Sequence, residues 1–114
     1  MLFRSYRGVA LKVALLRHPV GEFLLELFQY LNPPTAPRPL ANHLVGASHL
    51  AFEVEDIDGQ HARLLAAGFS SISPPVDVVR DGKKVARAFY ALDPDGISVE
   101  LFEEYADEIG RAHV

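Results

Sequence analysis

The chain has 114 residues, 49% of them hydrophobic and 23% charged, with a net charge of −4 and no cysteine, a composition typical of one ordinary globular domain. The acidic balance argues against a nucleic-acid partner, because neutralising phosphates takes a concentrated excess of Lys and Arg. Without cysteine there is no disulfide framework, no thiolate metal site and no Cys nucleophile, which fits a reducing, cytoplasmic setting. No apolar run approaches the roughly 20 residues of a membrane span, so no membrane partner is expected, and the charges within residues 1–7 argue against a signal peptide.

Residues 8–16 (GVALKVALL) are β-rich, residues 17–21 supply turn chemistry, and a second strand is expected over residues 22–30, so the chain opens as a hairpin. Residues 32–39 hold four prolines, which neither a helix nor a central strand tolerates, and they predict an extended connector. In residues 48–54 the pattern alternates. Leu50, Phe52 and Val54 fall on one face and His49, Ala51 and Glu53 on the other. Asp56 stands where a helix N-cap belongs, Asp58 in the first turn, and Ile57, His61, Leu64 and Leu65 make a stripe that ends at Gly68. A helix over residues 56–67 is therefore predicted on the oily side of that strand. Short strands follow at 76–79, 85–92 and 97–103, separated by an Asp81-Gly82 turn and a DPDG turn at 93–96.

The two parts end on the same phrase. HPVGEFLLELF (18–28) and DPDGISVELF (93–102) both run from a Pro-x-Gly turn into a strand containing Glu-Leu-Phe, with one residue of difference in spacing. If the strands are equivalent, the first part lacks a strand and helix before its hairpin, about 20–30 residues by ordinary element lengths. That leaves Phe23, Leu25 and Leu27, with Val9, Leu11 and Val13 of the neighbouring strand, as an uncovered apolar face.

Alternation places Glu100 on a face with Ser98 and Phe102, and Glu26 on a face with Leu24, Phe28 and Tyr30. A carboxylate among leucines and phenylalanines asks for a partner. Two carboxylates and an imidazole, Glu26, Glu100 and His49, suit a divalent ion such as Zn, Ni, Co, Mn or Fe. Spacing alone leaves open the plainer reading, in which each glutamate reaches solvent and His49 is an ordinary sheet histidine. Arg80, Lys83, Lys84 and Arg87 crowd one hairpin, either as a grip for an anionic substrate or as a solvated edge that resists aggregation.

The stretch SHLAFEVEDIDGQHARLLAAGF, with its DPDGISVELFE ending, resembles the second βαβββ module of the vicinal oxygen chelate superfamily, which includes glyoxalase I, methylmalonyl-CoA epimerase, extradiol dioxygenases and bleomycin-resistance proteins. GEFLLELFQY resembles the end of the first module. The resemblance implies an α+β fold of paired βαβββ modules forming a cupped mixed sheet. Residues 1–31 would be an incomplete first module, 32–47 a Pro-rich linker, 48–104 a complete second module and 105–114 a tail. It implies metal ligation by Glu26, His49 and Glu100, with Glu100 or Glu26 as the general base. The fourth ligand of the superfamily belongs to the strand this chain lacks, and His18, His43, His61 and His113 occupy no matching position.

The implied function is a divalent-metal-dependent enzyme of glyoxalase I or epimerase type, acting on a small molecule with vicinal oxygens. An oxygenase of extradiol type, a metal-free binding protein of bleomycin-resistance type and an inactive truncated form are the alternatives. A homodimer is expected, because superfamily members pair modules across subunits as well as within them, and a second copy would cover the exposed hairpin.

Overall fold

The computed structural model describes residues 8–38 and 40–106, and the chain divides into two units, residues 1–36 and 37–114. Its architecture is α+β, as expected, with one helix and two sheets among the described residues. Among the described residues no helix is long and apolar enough to cross a membrane.

The first unit is an antiparallel hairpin of β1 (Ala10–Arg17) and β2 (Leu24–Asn32). Its turn is held by the side chain that precedes the proline. His18 Nδ1 accepts from the amide of Val20 at 3.1 Å and also from that of Gly21. The register places Leu11, Val13 and Leu15 opposite Tyr30, Phe28 and Glu26, while Ala14 and Leu16 lie opposite Leu27 and Leu25. The single apolar face expected from sequence is thus corrected: Leu11 and Val13 share the face of Glu26, not that of Leu25 and Leu27, because directly paired residues point to the same side of a sheet.

The second unit contains β3 (Leu50–Glu53), α1 (Ile57–Ala66), β4 (Ser70–Ser71), β5 (Val76–Arg80), β6 (Lys83–Leu92) and β7 (Ser98–Glu104). Strand β7 lies between β3, to which it is parallel, and β6, to which it is antiparallel. Strands β4 and β5 pair with opposite ends of β6. The two-residue β4 carries no hydrophobic alternation and had no signal in the sequence. The turn between β5 and β6 is the expected one: Asp81 and Gly82 have φ of 51° and 75°, and this pair of left-handed residues is what a two-residue hairpin of the matching twist requires.

Helix α1 begins and ends where its capping residues predict. Asp56 accepts at 3.3 Å from the Gly59 amide. A Cβ on Gly59 would stand 2.1 Å from the Asp56 carboxylate, so this first turn accepts no larger residue without displacing its own cap. At the far end Gly68 N–H donates to Leu65 and Phe69 N–H to Leu64, the paired bonds of a Schellman motif. A second cap comes from across the sheet: the Glu103 carboxylate of β7 accepts from the amides of Asp56 at 3.0 Å and Ile57 at 3.2 Å. Those donors have no partner within the helix, and a carboxylate at the positive end of its dipole is doubly favourable.

The core forms where α1 meets the sheet. Ile57 and Phe89 are each 1% exposed, and Ala91, Val54, Leu64 and Leu101 pack with them. His61 belongs to the helix stripe as expected, its ring set edge-on to Phe89 at 4.9 Å, whereas Leu65 remains 48% exposed. On the same face Arg87 links helix and hairpin, its Nη2 3.0 Å from Asp58 and its Nη1 3.2 Å from Asp77. Asp77 also receives Lys84 at 3.1 Å and the Tyr105 hydroxyl at 3.1 Å. Of the basic hairpin, Lys84 and Arg87 are thus both paired with carboxylates of the chain.

Two outcomes follow from these contacts. Glu103→Ala, which strips both amides of their acceptor, is expected to lower stability by about 1–2 kcal/mol in urea unfolding. The Asp77 carboxyl is held below its usual value of 3.8, first by the Lys84 hydrogen bond, against partial desolvation, and then by Tyr105 and Arg87. A depressed folded-state pKa gives stability that is present above the unfolded value and lost as pH falls through the folded one. Thermal unfolding of Asp77→Asn should therefore fall less steeply than wild type as pH drops below about 4.

Candidate functional site

Alternation in three strands builds two chemically different faces. The paired rows Leu50–Val99–Ala91 and Phe52–Leu101–Phe89 supply the side covered by α1. The intervening row Ala51–Glu100–Tyr90 therefore lies on the opposite, uncovered side. Glu100 is there because it is an even-numbered residue of β7, whose odd-numbered Val99, Leu101 and Glu103 face the helix.

His49, one residue before β3, reaches this face. Its Nε2 lies 3.9 Å from Glu100 Oε1, and both side chains are partly exposed, 34% and 23%. Its ring stands edge-on to Tyr90 with centroids 5.1 Å apart. The separation from Glu100 is too long for a hydrogen bond. Tetrahedral ligation at about 2.0–2.1 Å per bond separates two ligand atoms by roughly 3.3–3.4 Å, so the pair would have to close by about half an ångström to share one borderline ion.

Tyr90 is the member of this group that sequence reasoning missed. Its phenol pKa is raised, first by burial, then by hydrogen bonding to Glu100 and by the charge of that carboxylate. The signal for it was the hairpin itself. With Leu92 paired to Ser98 across the DPDG turn, the next residue on the same face of β6 is Tyr90, opposite Glu100. The sequence does not say which residues flank the turn, and so did not say that they meet. Ser98, two residues before Glu100 on its face, is 5% exposed and donates to Asn42 Oδ1 at 2.7 Å, tying the segment before β3 to the central strand.

Glu26 lies in the first unit, on β2 opposite Leu15. Its hairpin is built as the second one is. From the turn outward, Arg17–Leu24 and Leu15–Glu26 correspond to Leu92–Ser98 and Tyr90–Glu100. The turn devices correspond too, since Asp93 Oδ1 accepts from the amides of Asp95 at 2.9 Å and Ile97 at 2.7 Å, as His18 does for Val20 and Gly21. Among the described residues no group of three His, Cys, Asp or Glu could hold a metal ion, so His49 and Glu100 stand as a pair. His18 is engaged by its turn, His61 by Phe89, and His43 is exposed in the loop before β3. His113 lies outside the described residues.

Comparison with known proteins bears on the family and the fold. Residues 7–101 match the model of the Glyoxalase/Bleomycin resistance protein/Dioxygenase superfamily. The chain is 36% identical over 86 residues to the uncharacterized protein YaeR of Escherichia coli K12, covering 74% of this chain and 60% of that protein, so it spans about three fifths of that relative's length. Its structure resembles a glyoxalase family protein from Bacillus cereus with a TM-score of 0.72 and 28% identity, over 87% of this chain and 65% of the other. A glyoxylase/bleomycin resistance protein/dioxygenase domain from Frankia sp. EAN1pec shares the fold, with a TM-score of 0.65 at 21% identity over 91% of this chain and 73% of its own.

The Tyr90–Glu100 contact gives a direct test of the site. In Glu100→Gln the burial of Tyr90 stays but the carboxylate charge goes, so its phenol should titrate closer to the ordinary value of 10.0. Tyrosinate absorbance measured against Tyr90→Phe assigns the change. An unshifted titration would show that Glu100 does not act on Tyr90.

Proposed function

Because this chain belongs to the Glyoxalase/Bleomycin resistance protein/Dioxygenase superfamily, we propose that it is a divalent-metal-dependent enzyme of glyoxalase I or epimerase type, moving a proton on a small substrate with two vicinal oxygens. The observation that carries this reading is the approach of His49 Nε2 to Glu100 Oε1 at 3.9 Å on the uncovered face of the sheet. An imidazole nitrogen and a carboxylate oxygen are donors that Zn, Ni, Co, Mn and Fe all accept. When bound, such an ion supplies Lewis acidity, polarising the substrate oxygens and acidifying the neighbouring C–H.

The chain's own groups have separate parts in this chemistry. Glu100 takes the proton and returns it as general base and acid. Tyr90 stands opposite Glu100 in the β6–β7 ladder and sets its ring edge-on to the imidazole of His49, so it flanks both groups before a substrate arrives.

Metal analysis after dialysis tests the proposal. The purified protein is expected to retain a divalent transition ion, and His49→Ala or Glu100→Ala to weaken retention at least about tenfold. Glu26→Ala belongs in the same series, since the superfamily resemblance gives that residue a ligand's role. Equal retention by wild type and a His49→Ala, Glu100→Ala double variant would sink the metal reading.

The same proposal includes a homodimer. In the first unit Leu15 is 61% exposed, Leu16 50%, Leu24 50%, Leu27 48% and Phe28 47%, so both faces of the hairpin present apolar side chains. A two-stranded hairpin is marginal by itself. At about 25 cal/mol per Å² of apolar surface, covering these residues contributes several kcal/mol, and isologous contact between two copies is the commonest closed way to do it. Light scattering at micromolar concentration should report a dimer, and Leu15→Glu with Phe28→Glu a shift toward monomer. A well-folded wild-type monomer would count against it.

A further inference from the structure

One strong cation of the second unit has no assigned work. Arg38 makes no hydrogen bond or ion pair with any described residue, whereas Arg87 and Lys84 are both held by carboxylates. In sequence it stands between Pro37 and Pro39, and a residue that precedes proline has a restricted backbone, which lowers the backbone entropy lost on binding. It lines a cavity of about 290 Å³ together with Gly46, Ser48, Gly96, Ile97 and Ser98.

The position of this cavity is informative. Leu50 pairs with Val99 in the parallel ladder, and the same register continued backward sets His49 beside Ser98 and Ser48 beside Ile97. The cavity therefore opens where the chain enters the candidate site, one residue from His49. Its walls are held: Ser98 Oγ bonds Asn42, and Asp93 accepts the amides of Asp95 and Ile97. Gly46 and Gly96 have φ of 95° and 83° and leave bare backbone on two sides.

The chemistry of the lining selects a class of ligand. The lining residues include one cation, Arg38, and two serines, Ser48 and Ser98, beside the apolar Leu40, Ala47 and Ile97, and no acidic residue. The cavity beside α1, about 450 Å³, is by contrast lined mostly by apolar side chains such as Phe52, Leu64, Phe69 and Leu101. A planar fork of donors matches an oxyanion, and a guanidinium is the side chain that grips carboxylate and phosphate at two points.

We propose that this cavity is a subsite for an oxyanion, a carboxylate or a phosphate, held by Arg38 and Ser48. The subsite stands independently of the metal reading; that the same molecule extends from it to His49 and Glu100 rests on that reading. It would then make the substrate an acid or a phosphate ester and set the direction in which it lies.

Amide spectra of the full-length ¹⁵N-labelled protein, titrated separately with acetate and with inorganic phosphate, test the subsite and distinguish the two anions. Acetamide serves as the neutral control. Saturable shifts are expected at residues 46–48 and 96–98 with at least one anion and not with acetamide. Arg38→Gln should weaken binding at least tenfold and Arg38→Lys less, since lysine keeps the charge and loses the fork; the same spectra show whether each variant is folded. His49→Ala should bind the anion as wild type does, which separates this result from failure of the metal site. Absence of saturation, binding by Arg38→Gln within twofold of wild type, or equal shifts along residues 80–84 would each overturn the proposal.

Discussion

Strand β7 is hydrogen-bonded along both edges, to β3 and to β6, and everything else in the second unit depends on that double pairing. Because a strand alternates its side chains, one short segment serves both faces of the sheet. Val99 and Leu101 meet the helix-side residues, Glu103 caps α1, and between them Glu100 is held out to the uncovered face. A shift of one residue in this strand would exchange the two sets, placing the cap in the candidate site and the candidate site in the core. Register, more than any single contact, protects the arrangement.

The helix explains why the register holds. Ile57 and Phe89 are fully buried against each other's neighbourhood, but apolar burial is not directional. The Glu103 carboxylate supplies direction, since its two oxygens must meet two particular amides. Arg87 adds a second tie, from the first turn of the helix to Asp77 on β5. Hydrophobic contact thus stabilises the layer, while the charged groups at its rim decide how the layers are aligned.

The two hairpins show how a repeat survives change in its residues. One turn is held by an imidazole nitrogen and the other by a carboxylate oxygen, each accepting from the amide two residues on. What the turn needs is an acceptor in that place, and either group provides it. The strands diverge where their surroundings differ. Opposite Glu100 stands Tyr90, with a hydroxyl to offer; opposite Glu26 stands Leu15, which has none. The second hairpin brings its glutamate beside a phenol and near a histidine.

Local patterns in the chain were enough for the α+β class, the helix with its two ends and the Asp81-Gly82 turn, and for the face that His49 and Glu100 each take within its own strand, because caps, turns and strand alternation are decided by neighbours a few residues apart. The superfamily was legible for the same reason, since its phrases are local. The rest required the folded chain. Glu103 lies more than forty residues from the amides it caps, Tyr90 meets Glu100 only once the hairpin register is set, and Leu11 and Val13 join the face of Glu26 through a pairing that begins beyond a register shift. The Arg38 cavity likewise joins the proline-rich connector to the DPDG turn. Such partners are chosen by strand pairing between distant segments, and the physical reason they escape the sequence is that alternation states which residues share a face but not which strand lies beside it, or at what offset.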